Sequence, residues 1–153
     1  MIQIVQSSGQ KNVGRFALWQ LGFRPFYLVA SLFSAVSVLL WAAQFLGYLP
    51  LAYLRGALWH GHEMLFGYTL AVVAGFLLTA VRAWTNEPTP SGLPLMALVT
   101  LWLAGRVLVL SPFALTAMVV NAAFPLAIAW AIGVPLWRSR NVRNYFFVGL
   151  LGL

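Results

Sequence analysis

Four long apolar stretches alternate with short polar segments along this chain, each near the length that crosses a bilayer. Read from the pattern, the spans cover about 25–49, 60–83, 94–110 and 113–137. Residues 1–20 form a polar N-terminal tail in which Phe16–Leu21 predicts a short interfacial helix. Pro25 suits the first turn of span 1, and Gly47 and Pro50 mark its exit. Asn86-Glu87-Pro88-Thr89-Pro90-Ser91-Gly92 is dense in helix breakers and predicts a loop. Ser111-Pro112 predicts a tight turn between spans 3 and 4. Another apolar run starts at Tyr145 and continues to Leu153, well short of the roughly 20 residues a crossing helix needs. It reads as a fifth span cut in its middle, so the chain is expected to be the front part of a larger protein. The predicted fold is all-α: a polytopic transmembrane helix bundle over 21–153, with four complete spans and a truncated fifth.

Composition strengthens this reading. Of 153 residues 62% are hydrophobic and only 7% charged, which is far too little charge for the surface of a soluble domain. The formal charge of +7 would suggest nucleic acid in a soluble protein, but here the positive residues flank apolar spans and act as topology determinants. Lys11, Arg15, Arg24, Arg82, Arg138, Arg140 and Arg143 fall on one side and Arg55 and Arg106 on the other, so seven of nine positives share a face. That places the N-terminus in the cytoplasm. The first twenty residues hold no apolar core of a cleavable signal peptide. Cysteine is absent, which excludes disulfides, thiolate zinc sites and covalent haem attachment through a CxxCH motif. There is no phosphate-binding glycine loop, no Ser-His-Asp set and no DNA-binding helix.

Candidate chemistry gathers in Trp59-His60-Gly61-His62-Glu63-Met64, at the expected entry to span 2. This run holds both histidines of the chain and one of its two acidic residues. Ionisable groups beside hydrocarbon are expensive and call for an explanation. At 100° per residue, His60, Glu63, Met64, Gly67, Ala71 and Gly75 share an arc about 120° wide, while His62 points about 160° away toward Phe66. Gly67, Ala71 and Gly75 make a small-residue stripe that lets helices approach closely. Gly61 offers a way to loosen the turn so that both histidines converge. His60 and His62 are therefore candidate haem or copper ligands, with Met64 as a soft metal ligand and Glu63 as a hydrogen-bonding partner behind a histidine. The competing reading makes these residues interfacial anchors, since one helix offers too few ligands to close a site. Arg106 lies at the level of Glu63, either paired with it or reaching alone to the interface. Asn121 lies four residues before Pro125 and is expected to satisfy the carbonyl that the proline frees, or to line a cavity.

Four ordered stretches carry a resemblance. They are Leu18-Trp19-Gln20-Leu21-Gly22-Phe23-Arg24-Pro25-Phe26-Tyr27, Trp59-His60-Gly61-His62-Glu63-Met64-Leu65-Phe66-Gly67, Ala74-Gly75-Phe76-Leu77-Leu78-Thr79-Ala80-Val81-Arg82-Ala83-Trp84-Thr85, and Leu101-Trp102-Leu103-Ala104-Gly105-Arg106. In this order they resemble the NnrS family, polytopic bacterial membrane proteins associated with haem and copper and with the nitric oxide response. The resemblance implies a multi-pass protein of the bacterial inner membrane, with haem and copper as cofactors and nitric oxide as a small-molecule ligand. Its expected role is to protect cellular iron under nitrosative stress. It also implies further helices downstream in the same protein. His60, His62 and Glu63 carry over on the matching run, with Arg24 and Arg106 as lesser candidates; Ala83 departs from the polar residue usual there.

A rival from another class remains open: a cofactor-free transporter or structural membrane module, using Glu63 and Arg106 as a coupled charge pair and the small-residue stripe for packing.

Overall fold

A computed structural model describes residues 17–49 and 54–152, and the described residues are helical with short connections. Residues 1–16, which include most of the polar tail, and residues 50–53 and 153 lie outside them. Helix α1 spans Phe23–Phe45, α2 spans Gly56–Thr85, α3 spans Leu93–Val109, α4 spans Ala114–Arg138 and α5 spans Phe146–Gly152. A 3₁₀ turn at Ala17–Gln20 precedes α1, where the short interfacial helix was expected. The all-α bundle read from the sequence is the fold.

The ends follow from local chemistry. Pro25 lies in the first turn of α1, where its missing N–H costs nothing. At the other end Gly47 takes φ +82°, its N–H donating to Gln44 O while that of Tyr48 reaches back to Ala43 O at 2.9 Å. This Schellman closure satisfies carbonyls that the helix leaves open. Asn86, in the left-handed region at φ 55°, closes α2 by donating to Arg82 O. Gly92 opens α3 with φ +61° and donates to Trp19 O at 2.8 Å, tying the 3₁₀ turn to the base of α3.

Three helices, α1, α2 and α4, are long and apolar enough to cross a membrane. Helix α3 is a shorter apolar helix of 17 residues. At 1.5 Å per residue it extends about 25 Å, against a hydrocarbon core of about 30 Å. Helix α2 starts at Gly56, four residues before His60, so the histidine run lies within the helix and not at its entry, where the sequence placed it.

Packing runs α1 on α2, α2 on α4, α3 on α4 and α4 on α5. The core gathers Phe26, Ala30 and Phe33 of α1, Ala71, Ala74, Leu77 and Leu78 of α2, Val99 and Trp102 of α3, and Phe124, Ile128 and Ile132 of α4. The small-residue stripe works as its spacing predicts. A Cβ added at Gly75 would lie 3.0 Å from Phe26 Cβ, and one at Gly67 would lie 2.6 Å from the Phe33 ring, so α1 lies directly on this face of α2. Leu28, Leu32 and Leu39 of α1 and Leu115, Val119 and Trp130 of α4 point outward, as side chains in contact with lipid do.

Gly22 shows how tight the α1–α2 contact is. A Cβ there would lie 2.5 Å from Leu78 Cβ, and Leu78 is fully buried. Gly22→Ala is expected to cost about 1–3 kcal/mol through overpacking. Gly149→Ala, which meets no atom within 4 Å inside α5, is expected to gain about 0.5–1 kcal/mol. Thermal unfolding in detergent micelles reads both, and equal effects would contradict the packing described.

Candidate functional site

Glu63 is fully buried, and both of its carboxylate oxygens are engaged. Oε2 accepts from Arg106 Nη1 at 2.6 Å, and Oε1 lies 2.8 Å from His62 Nδ1. Arg106, itself buried, also donates through Nη2 to Asn121 Oδ1. Asn121 in turn donates from Nδ2 to Ala117 O at 2.8 Å. One hydrogen-bonded chain therefore runs from His62 through Glu63 and Arg106 to Asn121, linking α2, α3 and α4. The Arg106 guanidinium lies over the Trp102 ring, 5.8 Å from its centroid, one turn earlier on the same helix.

Two glycines give this network its room. A Cβ at Gly67 would stand 2.9 Å from Glu63 Oε2 and 3.0 Å from Arg106 Nη1. One at Gly105 would stand 3.1 Å from Asn121 Oδ1. A side chain at Gly67 would press on the charged pair and one at Gly105 on the amide that holds Arg106, so both helices drop theirs there.

The backbone under Glu63 is unusual. Glu63–Thr69 is a π-helical run of seven residues within α2. Its i→i+5 pairing is uncommon and often marks functional positions. Two side chains support it. Thr69 Oγ1 donates to Met64 O at 2.7 Å, spanning five residues, and the buried Trp102 indole N–H donates to Gly67 O at 2.9 Å. A helical wheel drawn at 100° per residue loses its phase through this run, so the sequence-derived arc does not describe it.

The histidines turn to different neighbours. His60 stacks on Trp41 of α1, with centroids 4.4 Å apart and planes within 13°. His62 lies against Phe66, centroids 4.9 Å apart, in the direction the sequence predicted, and holds its Nδ1 to Glu63. Gly61 is helical, and it does not unwind the turn to bring the two together. Met64 contributes its main-chain carbonyl, which accepts from Thr69 Oγ1. Arg24 belongs elsewhere: it donates to Ala17 O at 2.7 Å, beside Phe23, whose N–H meets Thr79 Oγ1 far down α2. Sixteen residues separate Thr79 from Glu63, about 24 Å of helix. Among the described residues no group of three or more His, Cys, Asp or Glu side chains is placed to hold a metal ion.

A family model described as NnrS protein matches residues 17–153. The chain belongs to the NnrS family. The match takes in every helix described above, including the π-helical run and all four residues of the buried chain. Comparison with curated proteins and with solved structures finds no match.

Sequence reasoning found Glu63 and Arg106 but left their pairing open; the structure pairs them. It gave Asn121 either the carbonyl freed by the proline or a cavity to line, whereas Asn121 accepts from Arg106. The signal was there: an amide in an apolar span on a helix packed beside another that carries a buried guanidinium. Trp102 was quoted only as part of a motif, and its role needs the π-helical carbonyl to be seen.

Removing one member of the pair strands the other. Arg106→Leu is expected to destabilise by about 3–5 kcal/mol, because Glu63 would remain as an unpaired buried charge. Adding Glu63→Gln to Arg106→Leu should recover part of that loss, so the double variant unfolds less readily than the sum of the singles implies. Strict additivity in detergent unfolding would show that the two side chains do not sense each other.

Proposed function

We propose that this protein is a haem-binding membrane protein of the nitric oxide response, in which Nε2 of His62 would hold the iron. The observation that supports it is the hydrogen bond between His62 Nδ1 and the buried carboxylate of Glu63. Ligating histidines commonly donate their second ring nitrogen to a carboxylate, which fixes the tautomer and leaves the other nitrogen as the donor to metal. Here that carboxylate is itself held by Arg106, so the ring is oriented by a rigid support. His62 is partly exposed, which leaves its outer edge accessible to a planar cofactor. A bound haem iron would supply a coordination position for a diatomic gas such as nitric oxide.

The side chains then have separate tasks. Glu63 holds the proton on Nδ1 and aims the imidazole. Arg106 balances the Glu63 charge, and Asn121 fixes the Arg106 guanidinium. Trp102 keeps the π-helical turn in place. His60, whose ring is taken up by Trp41, is the lesser ligand candidate in this arrangement. For copper the described residues do not fit, because His60 and His62 turn to different neighbours and no group of three ligating side chains is gathered.

Family membership supports a role in the nitric oxide response, and protection of cellular iron from nitric oxide is the function we assign. Seven of nine positive residues on one face support an inner-membrane protein with its N-terminus in the cytoplasm and the Arg55 loop outside. The cofactor-free transporter is the reading that the same experiments eliminate or restore.

In the purified protein, His62→Ala is expected to lose bound haem and its Soret absorbance. Glu63→Gln should retain haem with a shifted spectrum or reduction potential, and His60→Ala should retain most of it. A His62→Ala variant with unchanged haem content would remove the assignment. Orientation is checked on the cysteine-free background: an impermeant thiol reagent should label a cysteine at Tyr53 but not one at Gln10 in intact spheroplasts. The reverse pattern would invert the topology.

A further inference from the structure

Two open grooves run side by side along the second half of α4, and one row of side chains divides them. The first, of about 580 Å³, lies between α4 and α5 and is lined by Ala129, Gly133 and Val148. The second, of about 550 Å³, lies between α4 and α3 and is lined by Ala131, Leu98 and Pro94. Trp130 and Val134 line both, so they form the wall between them. Each volume falls in the range of ligand pockets, roughly 300–1,000 Å³.

The grooves follow from the order of large and small residues in α4. On a wheel of 100° per residue, Ala127 and Ala131 stand about 60–100° to one side of Trp130, and Ala129 and Gly133 stand as far to the other. Ile128 and Ile132 point the opposite way, into the core. A bulky row flanked by two rows of small side chains leaves a trough on either side. That row is Leu126, Trp130, Val134 and Arg138, at four-residue spacing, and it rises about 18 Å along the helix. It ends in a guanidinium, and Arg138 also lines the first groove.

The polar end of the grooves carries positive charge. Arg138, Arg140 and Arg143 lie within six residues and are all exposed. Among the described residues the ion pairs are those of Glu63, so these three arginines have no acidic partner there. Trp137, which also lines the first groove, stacks on Tyr145 with planes within 9°, and such amphipathic rings sit at the level of lipid headgroups. An occupant must therefore be apolar along both troughs and negative at the end where Arg138 stands. A second copy of the chain, inserted in the same orientation, would bring its own arginines to that level and be repelled. A phospholipid meets both demands, since it has two alkyl chains and one phosphate, and basic residues at a membrane surface attract anionic lipids.

We propose that one anionic phospholipid binds to α4 from the leaflet that the arginines face. Its phosphate meets Arg138, and its two chains lie one in each groove, astride Trp130. The site stands apart from the buried Glu63–Arg106 network and does not depend on what His62 holds.

The test uses the full chain, purified in non-ionic detergent and stripped of lipid. It is titrated with phosphatidylglycerol, phosphatidylcholine and single-chain lysophosphatidylglycerol, and bound lipid is counted by native mass spectrometry. One phosphatidylglycerol per chain should bind about fivefold or more tighter than phosphatidylcholine, and the single-chain lipid should bind more weakly than phosphatidylglycerol. Arg138→Gln should bring the two double-chain lipids level, and Arg138→Lys should keep the preference. Gly133→Leu reaches into the first groove, where a Cβ would meet only Val148, at 3.8 Å. It should weaken phosphatidylglycerol to the level of the single-chain lipid, whereas Gly133→Ala should bind nearly as the unaltered chain does. Arg138 is exposed, so its variants report on binding in a folded protein. No bound lipid, equal binding of the two double-chain lipids, or a preference that survives Arg138→Gln overturns the proposal. So does a disulfide-linked dimer of Trp130→Cys, formed in membranes on the cysteine-free background, because it would give the grooves to a second copy.

Discussion

A carboxylate cannot stay ionised inside a membrane bundle without a partner, and the arrangement around Glu63 follows from that constraint. Arg106 supplies the opposite charge, and Asn121 takes up a further guanidinium donor. Gly67 and Gly105 clear the volume, since a Cβ at either would crowd the network. Energetically, a buried pair of this kind contributes little net stability, because desolvating both ions offsets most of their attraction. Its effect is on geometry. With three helices joined through one set of bonds, the alternatives in which α2 slides or rotates against α3 each leave a charge unsatisfied.

Much of this was legible in the chain. Hydrophobic runs gave the helices, four-residue spacing of small residues gave the α1–α2 contact, and the scarcity of charge singled out Glu63 and Arg106. Other parts were hidden for physical reasons. A π-helical run leaves no periodic mark over seven residues, and its supports, Thr69 and Trp102, act through main-chain carbonyls. A carboxylate behind a histidine was expected at Glu63, but not which histidine it would take, since a regular wheel sets the adjacent His62 about 100° from it. Asn121 carried a signal that a nearer explanation, Pro125, absorbed. Tertiary neighbours decided between the two, and no local rule supplies those neighbours.

The two histidines, one residue apart, do unlike things because the faces of α2 meet unlike surroundings. His60 is drawn to α1, where the flat Trp41 ring covers it. His62 stays on the flank, with one nitrogen fixed and the other free of the core. Two residues of one short motif are thus held by different elements, His60 by α1 and His62 by its own helix.

The π-helical run has a consequence for how α2 is assembled. Its lower half, through Ala71 and Gly75, takes its rotation from close contact with α1, whereas its upper half takes its rotation from Arg106. The wider turn of Glu63–Thr69 lies between the two and sets the angle of one relative to the other. Adding or removing one residue within that run would therefore turn Glu63 by about 100° away from Arg106 while Ala71 and Gly75 keep their place against α1.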